Sequence, residues 1–321
     1  MMRRKISLAL TALFFVLTVT PAIAWNSVGH MTVAYAAYQQ LTPAEQARVA
    51  ALLKLNPYYP KWIALVPAGA SDADRDMYVF MMAATWPDEI KAMGSGYVGN
   101  DNPPKSELPT LNVGYTDKQA HKYWHFINTP FSQDGTPLHA AAGPNTGQKI
   151  ALFRDALASS EPDALKSYDL VWLLHLVGDI HQPLHCSTRD TAASPKGDLG
   201  GNSVVVTGPL KELHAAWDDA LGLGDTANYK TAVAAAAKLP PPDTKLATDA
   251  NVDDWAAESF SLAKSDVYVP PVGPALGPYT LDAAYTANKL KIAQQRVSLA
   301  GARLATLLKT ALNCGQQACA N

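Results

Sequence analysis

The densest group of side chains able to do chemistry lies in the segment LHLVGDIHQPLH, residues 174–185. His175 and Asp179 are four residues apart, so on a helix both project from one face. Pro183 then ends the helix and turns the chain before His185. A neutral imidazole and a carboxylate on one face are good ligands for zinc. The segment therefore predicts a metal site at the end of a helix.

Other segments offer ligands of the same kinds. In ELHAAWDD, His214 and Asp218 repeat the four-residue spacing on a short helix. The segment HKYWHFINTP supplies His125, and WPDEIK supplies Asp88, with Lys91 about one helical turn later. One His/Asp pair at this spacing is more often a surface or capped core pair than a metal site. Two such pairs, together with the chain start, favour a metal centre.

The first 24 residues predict a secretory signal peptide. A basic start is followed by the apolar run ISLALTALFFVLTV and an A-x-A ending at Ala24. The alternative is a transmembrane anchor, but the run is short of the roughly 20 residues that a span needs. Cleavage after Ala24 frees the α-amine of Trp25, five residues before His30. The usual pKa of such an amine, about 8, is easily lowered by a cation, so the amine is a candidate ligand.

The candidate ligands are imidazoles, carboxylates and one chain end. They are Trp25, His30, Asp88, His125, His175, Asp179, His185, His214 and Asp218. Nine groups are too many for one zinc ion and suit three Zn²⁺.

Three histidines stay outside this set. We expect a structural or supporting role for His181 and solvent exposure for His139, which lies in a loop. His121, one turn before His125, is the best remaining candidate for a part in the site.

The pattern of apolar residues predicts a mainly α-helical chain, with one domain at 25–321 after removal of 1–24. Helical stretches are expected over residues 27–55, with a second start at Thr42-Pro43, and over 74–93, 147–159, 165–179, 210–221, 253–263 and 281–312. Core candidates in the last stretch are Leu290, Val297, Leu304, Leu307 and Leu308. Residues 203–207 are the one convincing strand, expected in a small β-hairpin.

The charge balance excludes one mode of nucleic-acid binding. Removing three basic and no acidic residues from the full chain's 26 and 28 leaves a net charge of −5. A broad basic surface that grips duplex phosphates is therefore not expected. Metals and local pockets would have to bind any nucleic-acid substrate.

These motifs together resemble the S1/P1-type nuclease family of zinc nucleases, from Trp25 to the C-terminal helix. The shared elements are the mature N-terminal Trp, a His five residues later, W-x-D, H-F-I, the HQPLH segment, G-G-N at 200–202 and H-x-x-W-D. The resemblance implies a mainly helical fold with three zinc ions at the base of a cleft.

The resemblance also implies how the ligands are shared among the three ions. The first zinc is held by Asp88, His125, His175 and Asp179. The second is held by the Trp25 amine and carbonyl, His30 and the bridging Asp179. The third is held by His185, His214 and Asp218.

The implied activity is hydrolysis of single-stranded DNA and RNA to 5′-phosphorylated products, with 3′-nucleotides as further substrates. A zinc-bridged hydroxide would attack phosphorus while the third zinc stabilises the departing O3′. Asp88 and Asp179 hold the reacting centre, and Lys91 is placed to stabilise charge on the phosphoryl oxygens. We expect a secreted or periplasmic monomer that has no membrane association once the signal peptide is removed.

One residue departs from the family pattern, and two other functions compete. Asn128 stands where family members commonly have an acidic residue, so it can orient water by hydrogen bonding but cannot accept a proton as a carboxylate does. The zinc-dependent phospholipase C family also begins with a Trp ligand, but it typically has Glu where Asp218 stands. A non-enzymatic exported zinc-binding protein would favour a His-rich tract, and this sequence has none.

Overall fold

The computed structural model describes residues 25–92, 94–99, 108–141, 143–222 and 229–318, with side chains up to Leu312. The signal peptide expected for residues 1–24 lies outside these ranges. The mainly helical class is confirmed. The helices are α1 (Ser27–Tyr38), α2 (Pro43–Leu53), α3 (Tyr59–Leu65), α4 (Asp72–Ala83), α5 (Trp86–Glu89), α6 (Thr146–Ala158), α7 (Asp163–Asp179), α8 (Leu213–Asp218), α9 (Tyr229–Ala236), α10 (Thr244–Ala247), α11 (Val252–Leu262) and α12 (Ala283–Ala318).

Helix α7 is the central element of the core. Every residue from Lys166 to Asp179 is buried, so the helix is enclosed on all faces rather than along one stripe. It packs against α6, α2, α12 and α1. Because a rigid, fully enclosed helix carries His175 and Asp179, these two side chains have little freedom to move.

Local sequence signals set several helix boundaries. Helix α2 begins at Pro43 after Thr42, whose hydroxyl accepts from the backbone N–H of Glu45 while the Glu45 carboxylate accepts from the N–H of Thr42. This reciprocal cap and the proline at the first helical position explain why the expected 27–55 stretch divides here. Helix α7 ends at Asp179, before Pro183, as the sequence predicts.

Other boundaries differ from expectation. The stretch expected at 74–93 divides into α4 and the short α5, and the stretch expected at 210–221 is shortened to α8. The apolar pattern does not predict α3, α9 and α10. In α12, Leu290 is 40% exposed, so its assignment to the core is wrong, whereas Val297 and Leu304 are fully buried.

The small sheet does not lie where the sequence suggested. Strands β1 (Thr129–Ser132) and β2 (Ser187–Asp190) pair in parallel, with Thr129 opposite Ser187. In the expected strand at 203–207, Val205 and Val206 form only isolated bridges, to Glu212 and Tyr279. The expected hairpin is thus reduced to the antiparallel bridge between Val205 and Glu212, whereas the two-stranded sheet of the described residues pairs strands that are distant in sequence. No helix in the described ranges is both long enough and apolar enough to cross a membrane.

Candidate metal centre

Eight of the nine predicted ligand residues bring their side chains together in three groups. In each group the candidate ligand atoms all lie within 4.8 Å of one another. The groups are His30, His175 and Asp179; Asp88, His125 and His175; and His185, His214 and Asp218.

The Asp179 carboxylate lies between imidazoles on both of its oxygens. Its Oδ2 is 3.0 Å from His125 Nδ1 and 3.3 Å from His175 Nε2. Its Oδ1 is 3.3 Å from His30 Nε2. One carboxylate thus faces members of two groups, as a bridging ligand must.

Asp88 and Lys91 form one edge of the same cluster. Asp88 Oδ1 is 3.6 Å from His175 Nε2 and 3.8 Å from His125 Nδ1. The Lys91 ammonium donates to the same oxygen at 2.6 Å. The short helix α5 and the turn after it place these two side chains three residues apart on one face.

The third group joins the end of the HQPLH segment to α8. His185 Nε2 is 3.0 Å from His214 Nε2, and His214 Nε2 is 3.3 Å from Asp218 Oδ2. Gln182 donates from Nε2 to Asp218 Oδ1 at 2.7 Å, and its Oε1 accepts from the Leu184 N–H. The residue type of Gln182 does not by itself indicate a role at the site, although its position between Asp179 and His185 is a signal for one.

Backbone carbonyls fix the orientation of three imidazoles. The Nδ1–H groups of His175, His185 and His214 donate to the carbonyls of Ala84, His125 and Gly200 at 2.7, 2.6 and 2.6 Å. Each of these rings therefore turns its Nε2 toward the cluster. Such outer hydrogen bonds set the tautomer and orientation of metal-binding histidines.

Burial keeps most of the imidazoles in the neutral form that binds metals. It lowers the pKa of His30 to about 4 and the pKa values of His125 and His214 to about 3. At neutral pH these rings carry a free lone pair.

The carboxylates divide into two kinds. Burial opposes ionisation of Asp88, but the Lys91 ammonium and the nearby imidazoles outweigh it and lower its pKa. Burial is outweighed in the same way at Asp179, whose pKa lies well below the usual range because of His175 and other imidazoles. Burial raises the pKa of Asp218 well above the usual range. The first two groups thus contain two largely buried carboxylate anions, Asp88 and Asp179. Two largely buried negative charges favour the binding of a cation between them.

Buried side-chain nitrogen and oxygen atoms without a hydrogen-bond partner indicate whether the site can accommodate a metal ion. His30 Nε2, Asp179 Oδ1 and Asp218 Oδ2 are buried without a hydrogen-bond partner. Leaving such atoms unpaired costs about 1–3 kcal/mol each, and more for charged groups. All three face other ligand-type atoms, so cations bound by the three groups would satisfy them. The residues present therefore fit metal ions with nitrogen and oxygen ligands, such as zinc.

The chain start is packed into the same region. The Trp25 indole N–H donates to the Gly178 carbonyl at 3.0 Å, and the Asn26 N–H donates to the Asp218 carbonyl at 3.2 Å. A Cβ added at Gly178 would lie 2.9 Å from His30 Nδ1, so only glycine leaves room for this ring. These contacts bring the Trp25 backbone near two ligand segments, and ligation by its amine stays a prediction.

The remaining histidines and Asn128 lie as follows. Asn128 adopts a φ of 53° just before β1, and its role stays a prediction. His121 belongs to none of the three groups found among the described residues; it pairs with Asp117 and stacks on Trp124. His181 accepts from Arg303 at 2.9 Å in the core, as a structural role requires.

His139 is not simply exposed to solvent. Its ring Nδ1 lies 2.8 Å from Asp190 Oδ1, and its side chain is 27% exposed. Spacing along the chain does not indicate this partner, because Asp190 lies on β2, far from His139 in sequence.

Comparison with known proteins assigns the family. The S1/P1 nuclease family model matches residues 25–313. Endonuclease 5 of Arabidopsis thaliana is 25% identical over 312 residues, covering 89% of this chain and 90% of that protein. Endonuclease 4 of the same plant is 26% identical with 89% of each chain covered, and Nuclease P1 of Penicillium citrinum is 28% identical with 60% and 57% covered. The match spans all three ligand groups, and the chain belongs to the S1/P1 nuclease family.

Proposed function

We propose that this protein is a zinc-dependent nuclease that hydrolyses single-stranded DNA and RNA to 5′-phosphorylated products and also removes the phosphate of 3′-nucleotides. The observation that carries the proposal is the Asp179 carboxylate, with His30 on one oxygen and His125 and His175 on the other. A separate group of His185, His214 and Asp218 completes a trinuclear ligand set.

The proposed ligand sets follow the three groups. Asp88, His125, His175 and Asp179 hold one ion; the Trp25 amine and carbonyl, His30 and Asp179 hold a second; and His185, His214 and Asp218 hold a third. When bound, zinc supplies Lewis acidity that polarises a phosphate ester and makes water more acidic. The buried, unpartnered atoms of His30, Asp179 and Asp218 support this assignment.

Asp88 and Lys91 lie where the phosphate of the substrate would contact the ligand cluster. The side chain of Asp88 is 12% exposed, the largest fraction among the eight ligand side chains, and that of Lys91 is 6% exposed. A phosphate that reaches Asp88 therefore also meets the Lys91 ammonium, which stabilises negative charge on its oxygens. The Asn128 amide orients water or substrate by hydrogen bonding and takes up no proton.

The preference for single strands is supported by burial and charge. Ligand groups this deeply buried exclude a phosphate that is held within a stacked duplex, whereas a flexible strand can bend toward them. The net charge of −5 without residues 1–24 gives no general attraction for duplex DNA. The relatives are named as nucleases and endonucleases, which supports cleavage within chains. We further propose that the mature protein is a secreted or periplasmic monomer.

The test is digestion of matched single- and double-stranded DNA, single-stranded RNA and a 3′-mononucleotide, with chelator and after zinc is restored. We expect faster cleavage of single strands, 5′-phosphate ends, and loss and recovery of activity with zinc. Phosphatidylcholine is included as a substrate because a phospholipase would prefer it. Equal cleavage of duplex, 3′-phosphate ends, or zinc binding without turnover would each contradict the proposal.

A further inference from the structure

We propose that Asp198 is a positioning residue for the third ligand group: it holds the turn 199–201, which orients the imidazole of His214. The inference rests on the proposed function, because it concerns the binding of the third zinc. Asp198 touches none of the three ligands, so it acts through the turn.

The turn has an unusual backbone. Leu199, Gly200 and Gly201 have φ values of 57°, 60° and 83°, three left-handed residues in succession. This conformation is unfavourable for a leucine, so the surrounding structure must hold it in place. A Cβ at Gly200 would lie 2.5 Å from the Leu184 carbonyl oxygen and 3.4 Å from His214 Nδ1. The turn therefore packs closely between the segment that contains His185 and the ring of His214.

The turn sets the direction of the His214 ring. The Gly200 carbonyl accepts from His214 Nδ1–H at 2.6 Å, and the Gly201 carbonyl accepts from the His214 backbone N–H at 3.4 Å. With Nδ1 held this way, Nε2 points at His185 Nε2, 3.0 Å away. A change in the turn therefore moves the ligand atom itself.

Asp198 is the anchor of the turn. Its side chain is fully buried, and its Oδ1 accepts from the Gly201 N–H at 3.2 Å, the Arg189 N–H at 3.0 Å and the Tyr268 hydroxyl at 3.1 Å. One oxygen thus ties the turn to strand β2 and to the segment after α11. Strand β2 begins two residues after His185. Asp198 therefore connects the turn that contacts His214 to the strand that follows His185.

A buried cation supports this anchor. Arg189 Nε lies 3.7 Å from Asp198 Oδ2, and the guanidinium lies over the Tyr268 ring at 4.5 Å from its centroid. Arg189 also donates to the Gly273 carbonyl at 2.7 Å. A fully buried guanidinium fixed in this way keeps the carboxylate from turning out of the site.

The test measures zinc content and release rather than activity alone. In Asp198→Ala we expect a folded protein that keeps two zincs firmly and binds the third about 10- to 100-fold more weakly, as when other outer partners of metal ligands are lost. Elemental analysis after dialysis against graded chelator gives the stoichiometry. Combining Asp198→Ala with His214→Ala should release no more zinc than His214→Ala alone.

Asp190→Ala is the matched control. Asp190 is an equally buried aspartate on β2, but its side chain bonds His139 and not the turn. It should keep all three zincs. If Asp198→Ala is too unstable to purify, Tyr268→Phe removes one donor to the same oxygen and should weaken the same zinc a few-fold.

The outcomes separate the two proposals. If the wild-type protein binds three zincs and both Asp198→Ala and Tyr268→Phe release them as the wild type does, the positioning role is wrong and the proposed function stands. Parallel loss of all zincs from Asp198→Ala and Asp190→Ala would also overturn it. If the wild-type protein never binds a third zinc, the proposed function fails and this inference fails with it.

Discussion

The imidazoles of His30 and His175 stack with their centroids 3.7 Å apart and their planes inclined by 14°. One ring comes from α1 and the other from α7, where Gly178 leaves the space that the His30 ring occupies. Because these two rings pack closely against one carboxylate, the cluster is sensitive to the addition of a single methyl group.

Gly178→Ala tests this packing. The added Cβ would lie 2.9 Å from His30 Nδ1, so the ring must shift although alanine favours the helix by about 1 kcal/mol. We expect intact helicity with zinc binding weakened by about tenfold or more. Gly147→Ala in α6 is the control, because its Cβ would meet atoms no closer than 3.5 Å. Unchanged zinc release in Gly178→Ala would count against the role of His30.

Asp179→Ala tests the shared carboxylate. Because its two oxygens face different imidazoles, its loss should remove two of the three proposed zincs and lower kcat/KM by more than about 100-fold. Metal analysis and kinetics measure both effects. Asp169→Asn, on the same helix and equally buried, should keep the zincs near neutral pH. Three zincs retained in Asp179→Ala would show that this carboxylate does not bridge.

Lys91→Met tests the charge beside Asp88. The change removes the ammonium that lies 2.6 Å from Asp88 Oδ1 and keeps most of the side-chain volume. Loss of one such stabilising donor typically lowers kcat by about 100- to 1,000-fold. We expect a loss of that size with zinc content largely kept. A wild-type kcat in Lys91→Met would remove Lys91 from the catalytic residues.

The chain start offers a further test. A protein that begins with Ala24 presents a peptide nitrogen at Trp25 instead of a basic amine, so it should bind zinc more weakly than the protein beginning at Trp25. Both forms are purified and compared by zinc titration and nuclease assay. Equal zinc affinity in the two forms would exclude the amine as a ligand.

The pH dependence of stability provides a prediction away from the candidate metal centre. Burial raises the pKa of Asp169 to about 8, and its Oδ1 accepts from Asn112 Nδ2 at 2.8 Å. Because the folded state holds this proton more tightly than the unfolded state, its contribution is full below pH ~4 and is lost as pH rises through about 8.

The variant Asp169→Asn isolates this effect. The free energy of unfolding of the wild type relative to Asp169→Asn should fall between pH 5 and pH 8, by up to about 1.4 kcal/mol per pH unit. Denaturant unfolding at each pH measures it. A constant difference between the two proteins would contradict the shifted pKa.

The sequence by itself determined the candidate chemistry. His175 with Asp179, and His214 with Asp218, were found because helical spacing puts residues four apart on one face, and this is a local property. The helix start at Thr42-Pro43 and the helix end before Pro183 also follow from the sequence, because proline acts on the backbone locally.

Only the tertiary structure decided what meets across the chain. It brought His30 of α1 against His175, paired β1 with the distant strand β2, and gave His139 a partner in Asp190. It also showed Asp198 beneath the turn that holds His214. These contacts form because segments distant in sequence pack around α7. Residue spacing along the chain does not predict which of these segments meet.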